Sequence, residues 1–130
     1  MTRRIAALVA AVVVGLTGGT LAATSPAQAA ASDCSAYPGT MCIFQFTGYS
    51  GRVWRQYPWQ ITGCRSLVPD DFNDRGTVFW NNTQGSHLMR IWQHGNCTGW
   101  YYDLPSQSVV DFASTPGYDN AASAVEDIEF

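Results

Sequence analysis

The sequence contains no lysine, and all seven of its basic residues are arginines. Two of them, Arg3 and Arg4, lie in an N-terminal segment that we expect to be removed. Five arginines and ten acidic residues then remain, a net charge of −5. Nucleic acids and anionic membranes are bound through clusters of basic side chains. We therefore expect this acidic chain to bind neither of them.

Catalytic motifs are also missing. The chain has two histidines, His87 and His94, and no HExxH, GxSxG or CxxC pattern that would place metal ligands, a nucleophile or a redox pair. The adjacent acids Asp70 and Asp71 follow Pro69, which is more typical of a solvated turn than of a catalytic pair. We expect a protein that is not an enzyme and that requires no cofactor.

The apolar stretch near the N-terminus is too short for a stable membrane span, which takes about 20 residues. It covers residues 5–16, follows two arginines and is succeeded by glycines. Ala27-Gln28-Ala29 then supplies the small-x-small pattern of a signal peptidase site. A membrane anchor is the alternative interpretation. We predict a signal peptide at residues 1–29, general secretory export, and one secreted domain at residues 30–130.

All four cysteines lie in the predicted mature domain. An even number of cysteines in a small exported chain indicates a framework of disulfides, here two. Four cysteines allow three pairings. We favour Cys34 with Cys42 as a short clamp and Cys64 with Cys97 as a long-range tie; free or metal-bound thiols are the alternative.

Helical periodicity is nearly absent after Ala30. Short runs of Val, Ile, Phe, Trp and Tyr alternate with clusters of Gly, Asn, Asp, Ser and Pro, which is typical of an antiparallel sandwich or barrel. We expect an irregular segment at residues 105–118, with one helical turn near 109–112. The predicted strands are residues 41–47, 52–57, 77–81, 87–94, 100–104 and 123–129.

An internal repeat organises these strands into two halves. Residues 44–51 and 92–99 each read aromatic-Gln, a short turn, then x-x-Gly. Gly51 and Gly99 permit a positive φ at the sharp entry to the next strand. Each half continues to an Asn/Asp pair, a Ser or Thr and a strand. Two Greek keys, at about residues 41–83 and 87–130, are expected to pack together because one alone cannot bury both faces.

The hairpin segments, Phe44-Gln45 to Gly51 and Trp92-Gln93 to Gly99, resemble the βγ-crystallin signature aromatic-Glu-x-x-x-aromatic-x-Gly. Within that superfamily the chain most resembles peptidase inhibitor family I36, which are secreted actinobacterial proteins. Four features carry this resemblance. They are the early cysteine pair, Cys64 with the apolar Leu67 shortly after it, the segment 73–85, and Cys97 in place of an aromatic residue. The resemblance implies an all-β fold of two packed Greek keys and a secreted, monomeric inhibitor of proteases.

The Asn/Asp pairs resemble the calcium motif of βγ-crystallins, Asn/Asp-Asn/Asp-x-x-Ser/Thr-Ser. Calcium prefers six to eight oxygen ligands. The sixth motif position departs from serine in both halves, with Val78 and Ala124. A plain Asx turn that needs no metal is the alternative interpretation. The resemblance implies calcium as an optional ligand of Asn73, Asp74, Thr77, Asp119, Asn120 and Ser123.

The resemblance also implies that a rigid loop enters a protease cleft, with metalloproteases among the expected targets. Residues 56–65 are the candidate, with contact residues Tyr57, Pro58, Trp59 and Arg65; an ordinary connection between strands is the alternative. A second hypothesis is a calcium-binding structural or toxin-like crystallin module. A third is a glycan-binding module that uses exposed aromatic side chains.

Overall fold

The computed structural model describes residues 26–130, with side chains from residue 31 onward. Most of the expected signal peptide lies outside the described residues, and its cleavage after Ala29 stays a prediction. Among the helices of the described part, none is long and apolar enough to cross a membrane.

Residues 26–130 form one α-helix and eight strands. Helix α1 covers Pro26–Ser35, where the sequence analysis expected no helix. Short 3₁₀ helices cover Thr47–Tyr49, Pro58–Gln60 and Phe112–Ser114. The strands are β1 Thr40–Phe46, β2 Ser50–Gln56, β3 Arg65–Ser66, β4 Val78–Asn82, β5 His87–Trp92, β6 Tyr101–Pro105, β7 Ser108–Asp111 and β8 Ala124–Glu129.

The strands form two four-stranded antiparallel sheets. The first has the order β2-β1-β4-β7 and the second the order β3-β8-β5-β6. Each sheet therefore takes one strand from the other half of the chain: β7 pairs with β4, and β3 pairs with β8. The fold is the all-β Greek-key arrangement that the sequence predicted, but the two halves exchange a strand.

The two exchanged strands are the ones that the sequence did not predict. Strand β3 is only two residues long, too short for an alternating pattern. Strand β7 lies in the segment expected to be irregular, and the helical turn begins at Phe112, after it. The turn before β7 contains Gln107, which adopts a φ of +59° without being glycine or asparagine. The usual sign of a tight hairpin is therefore missing from the sequence.

The inward faces of both sheets make one apolar core. Strand alternation directs Met41 and Ile43 of β1 toward Met89 and Ile91 of β5, and all four side chains are inaccessible to solvent. Phe112 fills the space beneath β6 and contacts Phe79, Trp100, Tyr102 and Tyr118 with ring centroids 4.9–6.3 Å apart. Burial of these rings removes a large apolar area from water and so contributes strongly to stability.

Helix α1 covers the outer face of the first sheet. Cys42 and Phe44 point away from the main core, yet both are fully buried with Cys34 and Val78 in a second apolar cluster. Strand β1 is thus buried on both faces from Thr40 to Phe44. The helix packs mainly against β2, and the Cys34–Cys42 disulfide fixes its end to β1.

The repeat predicted from the sequence is present in the backbone. Gly51 and Gly99 have φ values of +79° and +86°, and a Cβ at Gly51 would lie 2.7 Å from the Phe46 ring. The residues two places earlier, Tyr49 and Cys97, are also left-handed, with φ values of +58° and +55°. Matching positions in the two halves therefore adopt the same positive-φ backbone conformation, which is uncommon in proteins.

Both disulfides form in the favoured pairing. Cys34 is joined to Cys42, eight residues away, and Cys64 to Cys97, 33 residues away. The first bridge is fully buried. In the second, Cys64 is exposed and Cys97 is half-buried.

Mild reduction of the native protein should open the Cys64–Cys97 bridge first, because a reductant can reach Cys64 without unfolding the chain. Loss of this 33-residue loop closure should lower the free energy of unfolding by about 3–4 kcal/mol. Alkylation of the released thiols followed by mass spectrometry identifies the bridge, and denaturant titration measures the stability. The buried Cys34–Cys42 bridge is the internal control; equal reduction rates for the two bridges would contradict the prediction.

Candidate functional site

The two ends of the sandwich differ in chemistry. At one end β1 begins, β2 ends and β4 leads into β5. At the other end lie both Asn/Asp loops, where the Thr77 amide donates to the Phe44 carbonyl and the Ser123 amide to the Trp92 carbonyl. The predicted contact residues and the predicted metal ligands are therefore not one site.

An apolar groove opens at the first end. Its volume is about 560 Å³, and its walls are residues 38–39, 57–59 and 83–84 together with His87. We call it the aromatic groove. Three separate turns build it, and of their residues only the 57–59 wall belonged to the predicted contact set. Residues 38–39 and 83–84 have the composition of ordinary turns, so the sequence does not mark them as part of a groove.

The 3₁₀ helix Pro58–Gln60 presents an aromatic side chain beside this groove. Pro58 is buried and fixes the base, whereas Trp59 is 76% exposed. The Trp59 ring stacks on Tyr57 with centroids 5.8 Å apart and planes within 12° of parallel. The Tyr57 amide donates to Gln60 Oε1 over 2.8 Å, which closes the turn. The backbone and one face of the indole are thus held in place before any partner binds.

Buried polar groups fix the opposite wall of the groove. Asn81 is inaccessible to solvent, and its amide donates to the Leu104 and His87 carbonyls over 2.9 and 3.2 Å. Thr83 donates its hydroxyl to Asn81 Oδ1 over 2.6 Å. The His87 ring pairs with Asp127, with 3.1 Å between Nδ1 and Oδ1. The pairing of His87 with a carboxylate gives it a structural role in this wall.

Arg65 does not join the other three predicted contact residues. It lies in β3, which pairs with the first residues of β8 at the opposite end from the groove. Its guanidinium Nη2 donates to Asp70 Oδ2 over 2.8 Å. Residues 57–64 therefore run from one end of the sandwich to the other, and within them only residues 57–59 line the aromatic groove.

Asp70 and Asp71 are both engaged by neighbouring side chains. Asp70 accepts a 2.8 Å hydrogen bond from the indole Nε1 of buried Trp54, in addition to Arg65. Asp71 has a φ of +58° and pairs with Arg52 and Arg75 at 2.8 and 3.0 Å. The two acids therefore hold separate parts of the turn through different partners.

The two Asn/Asp loops exchange their side-chain bonds. The Thr77 hydroxyl lies 3.2 Å from Asp119 Oδ1 and 2.9 Å from the Gln45 carbonyl oxygen. The Ser123 hydroxyl donates to Asp74 Oδ1 over 3.1 Å. Each cluster thus combines a carboxylate from one half of the chain with a hydroxyl from the other.

These clusters have the oxygen donors that calcium prefers, but few charges. Within residues 31–130, no group of three or more His, Cys, Asp or Glu side chains is placed to hold a metal ion. One carboxylate serves each cluster, and Asn73 already donates to Asp74 Oδ2 over 2.7 Å. Asn120 is exposed and adopts a φ of +50°. The side chains thus supply part of the oxygen set that calcium prefers.

A charged cluster lies on the outer face of the second sheet. Arg90 donates to both oxygens of Asp103, at 2.6 and 2.8 Å, and its guanidinium lies 4.4 Å from the Tyr101 ring centroid. The hydrogen bonds to Asp103 raise the pKa of Arg90 above its usual value. Arginine stays charged throughout the physiological range in any case, so this cross-strand pair is a structural tie.

Solved structures with a similar fold are βγ-crystallins. One domain, from work on the evolution of the eye-lens βγ-crystallin fold, matches with a TM-score of 0.58 and 18% identity, covering 72% of this chain and 88% of that chain. A βγ-crystallin from Ciona intestinalis matches with a TM-score of 0.54 and 18% identity, covering 69% of this chain and 100% of that chain. An archaeal βγ-crystallin matches with a TM-score of 0.52 and 18% identity, covering 71% of this chain and 100% of that chain. The class of fold is βγ-crystallin-like.

The family is defined by sequence. The model of peptidase inhibitor family I36 matches residues 27–104, so the chain belongs to this family. The match includes both disulfides, the Pro58–Gln60 turn and every wall of the aromatic groove. No curated protein matches the chain.

Replacement of Asp70 by alanine should lower the free energy of unfolding by about 1–3 kcal/mol, because it removes the acceptor of a buried indole and the partner of a half-buried guanidinium. The neighbouring Asp71→Ala variant is the matched control. Its ion pairs are solvent-exposed, so its loss should stay below about 1 kcal/mol. Denaturant titrations followed by tryptophan fluorescence measure both values; a larger loss for Asp71→Ala would show that the network has been misassigned.

Proposed function

We propose that this protein is a secreted inhibitor that binds a protease tightly and non-covalently, as a monomer, through the end of the sandwich that carries the aromatic groove. Membership of family I36 supports an inhibitory role in general. The observation that carries the choice of surface is the closed turn at Pro58–Gln60, which holds an exposed tryptophan next to an apolar groove.

The rigidity of this turn supports an inhibitory role. A flexible loop would lose about 0.5–1.5 kcal/mol for each side chain that becomes ordered on binding. Here Pro58 restricts the backbone, Gln60 closes the turn and Tyr57 supports the indole. Cys64, at the far end of the connection, is bridged to Cys97. Little further ordering is then needed when a cleft closes around the turn.

An extracellular location is part of this proposal. Both disulfides are consistent with an extracellular protein, and the N-terminal signal proposed from the sequence would deliver it there. Secreted proteases are then the partners available, and zinc metalloproteases are the first class to test. Arg65 is not part of the proposed contact surface because Asp70 and β8 hold it at the other end.

The protein purified from culture medium should slow at least one member of a panel of secreted metallo- and serine proteases at micromolar concentration. The expected stoichiometry is one to one, and the inhibitor should be recovered uncleaved after prolonged incubation. The reduced and alkylated chain is the matched control, since it can compete only as a substrate. Absence of inhibition across the panel, or equal inhibition by the unfolded control, would refute the proposal.

A second candidate function is calcium binding by the Asn/Asp loops. The exchange of side-chain bonds between the loops favours it, because Asp119 with Thr77 and Asp74 with Ser123 bring oxygens of both halves together. Under this proposal a bound cation would replace hydroxyl hydrogen bonds by direct oxygen ligation. With one carboxylate in each cluster we expect dissociation constants of roughly 10⁻⁴–10⁻³ M.

Calcium at 10 mM should raise the melting temperature by several degrees, since a tenfold excess over a dissociation constant of about 1 mM contributes about 1.4 kcal/mol for each site. The double variant Asp74→Asn with Asp119→Asn should lose this increase, whereas Glu129→Gln, an exposed acid outside the loops, should keep it. Differential scanning calorimetry in calcium and in chelator measures the change. Identical melting temperatures of the unsubstituted protein in the two solutions would show that the loops are plain turns that bind no calcium.

A further inference from the structure

We infer, on the basis of the proposed inhibitory function, that the target is a protease whose main specificity pocket accepts a bulky aromatic side chain, and that Trp59 is the residue that enters it. Proteases whose pocket is floored by a carboxylate, and which therefore require a cation, are excluded as targets. The inference rests on where the cations and the exposed aromatic side chains of this molecule lie.

No lysine or arginine lines the aromatic groove or belongs to the Pro58–Gln60 turn, so these elements offer no such cation to a carboxylate-floored pocket. The chain has no lysine, and among residues 31–130 each arginine is engaged within the molecule. Arg52 and Arg75 pair with Asp71, Arg65 with Asp70, and Arg90 with Asp103.

The remaining arginine, Arg55, donates to the Asp33 carbonyl over 2.6 Å, and its guanidinium lies 3.7 Å from the Tyr37 ring centroid. None of the five belongs to the Pro58–Gln60 turn. His87, in the wall of the groove, is paired with Asp127.

Trp59 is the exposed aromatic side chain best suited to act as an anchor. It is 76% exposed, against 54% for Phe46, 51% for Tyr101 and 43% for Tyr37. Guanidinium groups lie against both tyrosine rings. Phe130 is as exposed as Trp59, but it follows strand β8 and does not lie in a closed turn like the one that holds Trp59.

The surroundings of Trp59 match those of a binding hot spot. Such residues are commonly tryptophan, tyrosine or arginine, and they act best when they are already ordered and become fully desolvated. Tyr57 stacks on one face of the indole, which leaves the remaining surface for a partner. The aromatic groove beside it offers apolar surface to the rim of the partner's pocket.

Three serine proteases that share one fold but differ in their pocket provide a direct test: one with an apolar slot, one with a carboxylate floor and one with a shallow pocket. A zinc metalloprotease with an apolar subsite completes the set. Inhibition constants are measured for the unsubstituted protein and for Trp59→Ala, Trp59→Phe and Trp59→Arg. Tyr101→Ala, which removes an exposed aromatic side chain far from the groove, is the matched control.

The unsubstituted protein should inhibit a protease with an apolar pocket and should not inhibit the one with the carboxylate floor. Against the inhibited protease, Trp59→Ala and Trp59→Arg should weaken binding by about thirtyfold or more. Trp59→Phe should keep most of the affinity, and Tyr101→Ala should change it by less than about twofold. Melting temperatures close to that of the unsubstituted protein establish that the variants fold.

The outcomes separate this inference from the function on which it rests. If no protease is inhibited, the proposed function fails and this inference fails with it. If a protease is inhibited but Trp59→Ala leaves the inhibition constant unchanged, the inhibitory function stands and Trp59 is not the anchor. Inhibition of the carboxylate-floored protease as strong as that of the others would likewise overturn the assignment of pocket type.

Discussion

Neither sheet of this protein is complete without a strand from the other half of the chain. Strand β7 closes the first sheet against β4, and β3 closes the second against β8. The exchange places both sheets around one apolar core, so that neither half can separate without exposing Phe79, Phe112 and their neighbours. It also brings the two Asn/Asp loops into contact, since each loop follows or precedes a strand of the opposite sheet.

The same exchange creates the candidate contact surface. Because β3 must join the second sheet, the chain leaves β2 at one end of the sandwich and reaches Arg65 at the other. The connection turns at Pro58–Gln60, buries Ile61 in the core and ends at the Cys64–Cys97 bridge. A crossing anchored at three points leaves little freedom for the part that stays exposed. The position of Trp59 is thus a consequence of topology as much as of the local turn.

Much of this fold could be predicted from the sequence because its signals are local. Gly51 and Gly99 marked the folded hairpins, and short runs of β-branched and aromatic residues between turn clusters marked six strands. The favoured cysteine pairing is the one observed. What the sequence could not reveal depends on distant partners. Strand β3 forms because β8 is available to pair with it. The expected Cys34–Cys42 disulfide did not by itself indicate that a helix would cover the outer face of the first sheet.

The candidate site, like the fold, could be predicted from the sequence only where its signals are local. Proline followed by tryptophan suggested an exposed, rigid turn, and the structure places Trp59 in that way. Arg65 was indistinguishable in sequence from a contact residue, because its role depends on Asp70, which in turn is positioned by Trp54. The walls of the groove at residues 38–39 and 83–84 come from turns that only the register of β1 and β4 brings together.

The separation of the two candidate sites has a physical consequence for how they can interact. The aromatic groove and the Asn/Asp loops lie at opposite ends of the strands, and paired strands with a close-packed core between them leave no hinge. A ligand at one end can then influence the other mainly through global stability rather than through a change of shape. A rigid frame of this kind suits the proposed inhibitory role, because Trp59 would already be ordered when a protease binds, and it would let the loop end vary without altering the aromatic groove.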